Sequence, residues 1–277
     1  MPPRRLTFAD HRRDLGENRY IYAVVSRRAG GLSIGVNLNP DKVCNFDCPY
    51  CQVDRTVPGG SARIDVPLLV AELRHLLGLF ASGALWSTPP FDTAAPEHRR
   101  VVDIAFAGDG EPTTPPEFPA AAAAVRAVRD ELAPGVPLRL LTNSTMLHRV
   151  RVRPALAHFD DIWAKLDAGT EAYFRVVDGT TFPFPRILRN LRELAAVRPI
   201  AIQSMFLRLD GEGPSEAEIA AWVDRLREIA AAGPITEVQV YSVARTPSDP
   251  RVQPRSAPEL AGIVEKAAEG GLNARAV

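Results

Sequence analysis

The sequence predicts an α/β fold, a partial (β/α)6 TIM-like barrel that is open on one side. Three observations lead to this prediction. Short apolar runs alternate with amphipathic stretches, several runs are as continuously apolar as buried parallel strands, and helix-start signals fall between them. A chain of 277 residues is long enough for one such domain. We expect the functional side chains at the C-terminal ends of the strands.

The apolar runs predict six strands, at residues 32–39, 101–107, 138–142, 162–167, 200–207 and 237–243. Helices are predicted between them. One follows Pro67, and three others begin at Ser/Thr-x-x-Glu capping boxes, which start at Thr114, Ser215 and Ser256. Residues 82–100 are rich in Pro, Ser and Thr, so we expect a surface loop there.

We predict a single domain with three parts: a basic N-terminal extension (1–30), the partial barrel (31–246), and a C-terminal helix and tail (247–277). The chain carries 33 basic and 33 acidic residues, so it lacks the overall basic charge of many nucleic-acid-binding domains. The extension is nevertheless rich in arginine, which predicts either a solvated arm or a surface for phosphate or RNA. Its arginines are Arg4, Arg5, Arg12, Arg13, Arg19, Arg27 and Arg28.

The apolar runs are too short to cross a bilayer, and the N-terminus lacks the apolar core of a signal peptide. We therefore expect a cytoplasmic protein with no membrane partner.

The three cysteines of the chain lie within eight residues, at Cys44, Cys48 and Cys51. An odd number so close together cannot form a disulfide framework, which favours metal or redox chemistry. Three thiolates in a loop after a strand can bind one face of an iron–sulfur cubane. Because the chain has no fourth cysteine, one iron would stay open to another ligand. The alternatives are a zinc site and a Cys48–Cys51 dithiol, although the dithiol leaves Cys44 unexplained.

This segment, with Tyr50 before the last cysteine, resembles the Cys-x-x-x-Cys-x-aromatic-Cys signature of the radical S-adenosylmethionine (SAM) superfamily. The resemblance implies one [4Fe-4S] cluster on the three cysteines, with SAM chelated by the open iron and Tyr50 near its adenine. It also implies reductive cleavage of SAM to a 5′-deoxyadenosyl radical that abstracts hydrogen from a substrate. The electron would come from an external donor of the flavodoxin or ferredoxin type.

A second motif follows the second predicted strand. Gly108-Asp109-Gly110-Glu111 resembles the GGE motif of the same superfamily, with Asp109 in place of a glycine. Glycines let the backbone approach a ligand closely, and a carboxylate beside them can accept a hydrogen bond from an ammonium group. We expect Glu111 to be that acceptor for SAM.

Polar side chains in or after later strands complete the candidate cofactor site. In the strand 162–167, the pleat directs Lys165 and Asp167 to the barrel interior. They form either a buried ion pair or contacts to SAM or substrate. Asn143 after the third strand and Gln203 in the fifth are further candidates for cofactor binding.

Several other segments look like the wyosine-synthase-related group of radical SAM proteins, among them 32–40, 165–169, 203–206 and 244–247. True wyosine-base synthases act on tRNA and carry a second cluster, for which this chain has no cysteines. The substrate is therefore left open between a nucleic-acid base, tRNA included, and a small metabolite. A glycyl-radical-enzyme activase acting on a protein, and a non-catalytic Fe–S or zinc-binding module, are the alternative functions.

Overall fold

The computed structural model of the protein describes residues 15–26, 30–245, 247 and 249–277. Six of the seven arginines of the predicted extension lie outside these ranges, and Arg19 lies within them. The chain divides into two compact units. The first contains the described residues of 1–43 together with 58–141 and 149–161. The second contains 44–57, 142–148 and the described residues of 162–277.

Four neighbouring strands in the order β1-β2-β3-β4 form the sheet of the first unit. β1 runs antiparallel to β2, whereas β2, β3 and β4 are parallel to one another. Helices α1 and α2 pack against each other beside them. The bounds are β1 Ile21–Ser26, β2 Gly31–Val36, α1 Val66–Ala81, β3 Val101–Phe106, α2 Phe118–Leu132 and β4 Leu138–Thr142.

β1 was not predicted, since its sequence lies in the arginine-rich segment. Every residue from Ile21 to Val25 is nonetheless buried. Glu72 of α1 accepts hydrogen bonds from the backbone N–H groups of Arg19, Tyr20 and Ile21 at 2.8–3.0 Å. This contact ties the start of β1 to α1.

One local prediction in the first unit is wrong, and a second is only partly correct. α2 does not begin with a capping box at Thr114, because two prolines follow that residue and the helix starts only at Phe118. The Thr114 hydroxyl instead donates to the carbonyl of Glu111 at 2.7 Å. The segment 82–100 is not simply a surface loop, because it forms three short 3₁₀ turns that bury Leu85 and Phe91.

The second unit contains four parallel strands in the order β5-β6-β8-β10, and a separate antiparallel pair, β7-β9. The register aligns Lys165 of β5, Gln203 of β6 and Gln239 of β8 in one row. The bounds are β5 Asp161–Lys165, α3 Glu171–Val177, α4 Phe184–Ala195, β6 Ile200–Met205, β7 Leu207–Leu209, α5 Glu216–Ala230, β8 Ile235–Tyr241, β9 Val252–Pro254, α6 Ala257–Glu269 and β10 Ala274–Ala276.

The capping box at Ser256 is confirmed, and its carboxylate, Glu259, has a pKa lowered to about 2 by hydrogen bonds from Ser256. The box at Ser215 is half correct. Ser215 accepts from the backbone of Glu218, but the Glu218 side chain accepts from Gly169 and Thr170 at the start of α3. Glu218 therefore joins α5 to α3.

All six predicted strands are present within a few residues of their expected positions. Amphipathic helices separate most of them, which confirms the α/β class. Within the described ranges, no helix is both long enough and apolar enough to cross a membrane.

Candidate active site around the cysteine loop

The cysteine loop, residues 44–57 of the second unit, has no regular secondary structure. Its apolar anchor is Phe46, which is 5% exposed and makes an edge contact with Phe174 of α3 at 5.6 Å between ring centroids. Phe174 in turn packs on Phe184, the first residue of α4, at 5.0 Å. These rings attach the loop to two helices.

A backbone contact holds the same loop at Asp47, whose N–H donates to the carbonyl of Gly179 at 3.3 Å. Gly179 has φ +56°, and a Cβ there would lie 2.0 Å from the carbonyl oxygen of Asp47. Only glycine therefore fits at this turn after α3.

Three polar side chains form a closed set of hydrogen bonds beside the loop. Asn143 donates to Asn45, Asn45 donates to Thr145, and Thr145 donates back to Asn143, each at 2.7 Å. Asn143 was predicted to bind cofactor. In the structure its amide and carbonyl groups hold the cysteine loop.

Tyr50 lies in a group of ionisable side chains that also contains Lys165, Asp167, Asp178 and Tyr241. Its hydroxyl is 2.5 Å from Asp167 Oδ2 and 3.1 Å from Asp178 Oδ1. The Lys165 ammonium lies 2.9 Å from Asp167 Oδ2 and 3.0 Å from the Tyr241 hydroxyl. The predicted Lys165–Asp167 ion pair is thus present, and it contacts the aromatic residue of the cysteine motif.

Asp178, which the sequence argument missed, is 2% exposed and accepts a hydrogen bond from Cys48 Sγ at 3.6 Å. Burial, and then the nearby Asp167, raise the pKa of Asp178 well above its ordinary value. Burial, and then Asp178, raise the pKa of the Cys48 thiol. Asp178 Oδ1 thus accepts from both Cys48 and Tyr50, and the Tyr50 hydroxyl is shared between Asp167 and Asp178. The only sequence feature that could have pointed to Asp178 is an Asp-Gly pair after a helix.

Cys51 has a different neighbour. Arg55 donates from Nη1 to Cys51 Sγ at 3.1 Å. Burial alone would lower the pKa of Arg55, but this hydrogen bond and the charges of Cys51 and Cys44 raise it. Beside it, Arg245 donates to the Gln52 side chain at 2.9 Å.

Gln203, another predicted cofactor ligand, is 2% exposed and donates to the side chain of Gln239 at 2.8 Å. Gln239 donates in turn to Glu237 at 2.7 Å, and Glu237 pairs with Arg275. In these contacts Gln203 belongs to a polar chain across β6, β8 and β10.

The motif at 108–111 lies in the first unit, after β3. Asn37 donates to Asp109 Oδ2 at 2.7 Å and accepts from the Asp109 N–H at 3.1 Å. A Cβ on Gly108 would lie 2.2 Å from Asn37 Oδ1, and one on Gly110 would lie 2.2 Å from the carbonyl oxygen of Val43. The close approach that requires these glycines is therefore to the protein's own atoms.

Glu111 is 3% exposed. Its Oε1 accepts hydrogen bonds from the backbone N–H of Thr113, at 3.2 Å, and from the Thr113 hydroxyl. These contacts fix the carboxylate at the end of β3. Its expected role toward SAM stays a prediction.

The donor set of the cysteine loop fits an iron–sulfur cluster. Its three thiols are partly exposed, form no disulfide, and belong to a loop whose ring and backbone anchors use no sulfur. Thiolates of a cubane bind different irons and so need not converge on one point. Among the residues that the structure describes, no three His, Cys, Asp or Glu side chains converge as ligands of one metal ion.

No protein-family model matches the chain. It is 27% identical over 155 residues to a UPF0026 protein of Methanocaldococcus jannaschii, and 24% identical over 213 residues to one of Helicobacter pylori. The matches cover 56% and 76% of this chain, and 42% and 62% of those proteins. The chain thus spans less than two thirds of the length of these relatives.

A further match, 25% identical over 188 residues, is to a Brachyspira hyodysenteriae protein named GTPase Obg. It covers 66% of this chain but 24% of that protein. The phosphate-binding loop of GTPases has a glycine directly before its lysine. No glycine precedes Lys42, Lys165 or Lys266, so this chain contains no such loop.

Solved structures resemble most of the chain. SuiB of Streptococcus suis bound to SAM superimposes with a TM-score of 0.60 at 14% identity, covering 91% of this chain and 52% of that one. A radical SAM methyltransferase of Sphaerobacter thermophilus gives 0.62 at 14%, covering 92% and 68%. TYW1 with a lysine-pyruvate adduct bound gives 0.56 at 14%, covering 87% and 74%. The fold is therefore that of these enzymes, as the cysteine motif led us to expect.

Proposed function

We propose that this chain, a radical SAM protein by its cysteine motif and its fold, binds one [4Fe-4S] cluster through Cys44, Cys48 and Cys51 and acts on SAM. The observation that carries the proposal is a loop of three thiols, in a chain with no fourth cysteine, within this fold. When bound, the cluster would pass one electron from an external donor to SAM, releasing methionine and a 5′-deoxyadenosyl radical that takes a hydrogen atom from the substrate.

The chain's own residues position that chemistry. Asn45, Phe46 and Asp47 hold the loop between the first two cysteines through side-chain amide, ring and backbone contacts. The Tyr50 hydroxyl is fixed by Asp167 and Asp178, so its ring has one orientation beside Cys51. We propose that this ring is the wall against which the SAM adenine packs, and that Glu111 accepts from the SAM amino group.

Lys165 is proposed as a positioning cation and not as a nucleophile. Burial alone would lower its pKa, but Asp167 at 2.9 Å raises it well above its ordinary value. The proposed substrate class is a nucleic-acid base or a small metabolite.

Anaerobic reconstitution tests the proposal. Protein with iron and sulfide in the ratio of one [4Fe-4S] cluster should form 5′-deoxyadenosine from SAM after reduction with dithionite, measured by liquid chromatography and mass spectrometry. Cys44→Ala, Cys48→Ala and Cys51→Ala should each abolish the product, while Lys266→Met, at a partly exposed position of α6, should retain it. A fully loaded wild-type protein that forms no 5′-deoxyadenosine would contradict the proposal.

Mass changes in candidate substrates, total tRNA included, after turnover with isotopically labelled SAM would identify the substrate class. A modified nucleoside would favour the nucleic-acid base. Label found only in small molecules would favour the metabolite.

A further inference from the structure

Arg55 makes an unusual contact for an arginine in this chain. Other arginines of the second unit, such as Arg175 and Arg225, pair with carboxylates of their own helix. The guanidinium of Arg55 instead donates to the sulfur of Cys51 at 3.1 Å. Electrostatic interactions also link Arg55 to Cys44 and Asp47. Its charge thus acts on two of the three thiols.

The contact is built by the local sequence. Cys51 N–H donates to the carbonyl of Cys48 at 2.9 Å, a turn that closes the motif. Arg55 follows four residues later in the same loop, and Val53 between them is buried. Arg245 holds the neighbouring Gln52 side chain at 2.9 Å. These contacts fix the segment that carries Arg55 next to Cys51.

Such a contact has a defined effect on an iron–sulfur cluster. Reduction adds one negative charge to the cluster and its thiolates. A cationic N–H donor on a ligand sulfur stabilises the reduced form more than the oxidised form, and hydrogen bonds to sulfur are among the factors that set cluster potentials. The effect persists in a partly exposed site because donor and sulfur are in direct contact.

We propose that Arg55 is a redox-tuning residue, which raises the reduction potential of the cluster through its hydrogen bond to Cys51 Sγ. The proposal rests on the proposed function, since it requires the cluster. One electron from an external donor reduces the cluster, and Arg55 itself is neither oxidised nor reduced. It makes the electron easier to accept, so a weaker reductant suffices.

The test is a potentiometric titration of the reconstituted protein, followed by electron paramagnetic resonance of the reduced cluster. Arg55→Gln removes the charge but keeps an amide donor, and Arg55→Lys keeps the charge without the planar guanidinium. We expect Arg55→Gln to lower the reduced-to-oxidised ratio at a fixed potential about tenfold, which is about 59 mV for a one-electron couple. The midpoint potential of Arg55→Lys should lie between those of Arg55→Gln and wild type. Arg189→Gln is the matched control, because Arg189 is exposed on α4, and it should match wild type.

Iron and sulfide analysis separates the outcomes. Equal loading with an unchanged midpoint in Arg55→Gln overturns this proposal and leaves the proposed function standing. Loss of the cluster from both Arg55 variants also overturns it, since Arg55 would then hold the cluster without tuning it. A wild-type protein that takes up neither iron nor sulfide overturns the proposed function, and this proposal with it.

Discussion

Cys48 and Cys51 lie three residues apart in one loop and are both partly exposed, yet their surroundings differ in charge. Cys48 faces Asp178 in a buried group of ionisable side chains, and its pKa is raised. Cys51 faces the cation Arg55 at a partly exposed edge. The ionisable group around Cys48 is fixed by many mutual hydrogen bonds, so substitutions there should lower stability. The surroundings of Cys51 depend on the one contact with Arg55, so substitutions there should alter redox properties and leave the fold intact.

The largest effect is expected at Lys165. Lys165→Met leaves Asp167, whose side chain is fully buried, without its cation. Breaking a buried ion pair on one side costs roughly 3–5 kcal/mol. Urea unfolding of the metal-free protein measures this loss. Lys266→Met, which removes an exposed pair with Glu216, is the control and should stay within about 1 kcal/mol of wild type. Equal losses of unfolding free energy in Lys165→Met and Lys266→Met would show that the ion pair beside Cys48 does not stabilise the fold more than a surface pair does.

The next effect is expected at Gly179. Gly179→Ala places a Cβ in the left-handed region and against the Asp47 carbonyl, whereas Gly211→Ala has φ +84° and no atom within 4 Å. The shared backbone strain costs about 1–2 kcal/mol in both. We expect Gly179→Ala to be the more destabilising in urea unfolding and to load less cluster, because the cysteine loop must shift. An identical loss of unfolding free energy in both variants would show that the contact with Asp47 does not affect stability.

A smaller, pH-dependent effect is expected at Asp178. Its pKa is raised in the folded protein, so the native state keeps a proton that the unfolded chain loses above the ordinary value of 3.8. Its contribution to stability therefore falls as the pH rises above that value. Asp178→Asn lacks this titration, so the free energy of unfolding of the variant should rise relative to that of wild type between pH 4 and pH 8.

Asp249→Asn is the control of opposite sign. Hydrogen bonds from Arg251 lower the pKa of Asp249, so its contribution is present above 3.8 and is lost as the pH falls. The free energy of unfolding of this variant should fall relative to that of wild type as the pH rises. Urea unfolding at several pH values would measure this change for both the Asp178 and the Asp249 variants. Parallel pH profiles for the two variants would be the contrary result.

The smallest effect on stability is expected on the Cys51 side. Arg55→Gln should change the unfolding free energy of the metal-free protein by no more than about 0.5 kcal/mol, as for other substitutions at partly exposed sites. Thermal or urea unfolding beside Arg189→Gln provides the measurement. A loss comparable with that of Lys165→Met would mean that Arg55 supports the fold.

The strands were predictable because buried parallel strands are mostly apolar, and 101–106 and 200–205 are apolar apart from Asp103, Gln203 and Ser204. The alternation of side chains along 162–167 likewise placed Lys165 and Asp167 together. β1 was missed because arginines surround it and its partner on α1, Glu72, lies 51 residues from Ile21. No local pattern reports such a distant contact.

The cysteine motif predicts the ligands but not what holds them. Asn143 and Asn45 are 98 residues apart, and Asp178 lies 130 residues from Cys48. Neither pair leaves a local signature, since single polar residues at strand and helix ends are common. Arg55 is close in sequence to Cys51, but the sequence does not show whether its guanidinium contacts the sulfur or lies in solvent.

The ring contacts from Phe46 to Phe174 and on to Phe184 bear on how such a centre is matured. A zinc finger folds around its metal, because little else organises the peptide. Here aromatic contacts from Phe46 to Phe174 and Phe184 anchor the segment between the first two ligands, and these contacts use no sulfur atom. We therefore expect folding to order this segment without the cluster, so that removal of iron and sulfide leaves it protected from hydrogen exchange.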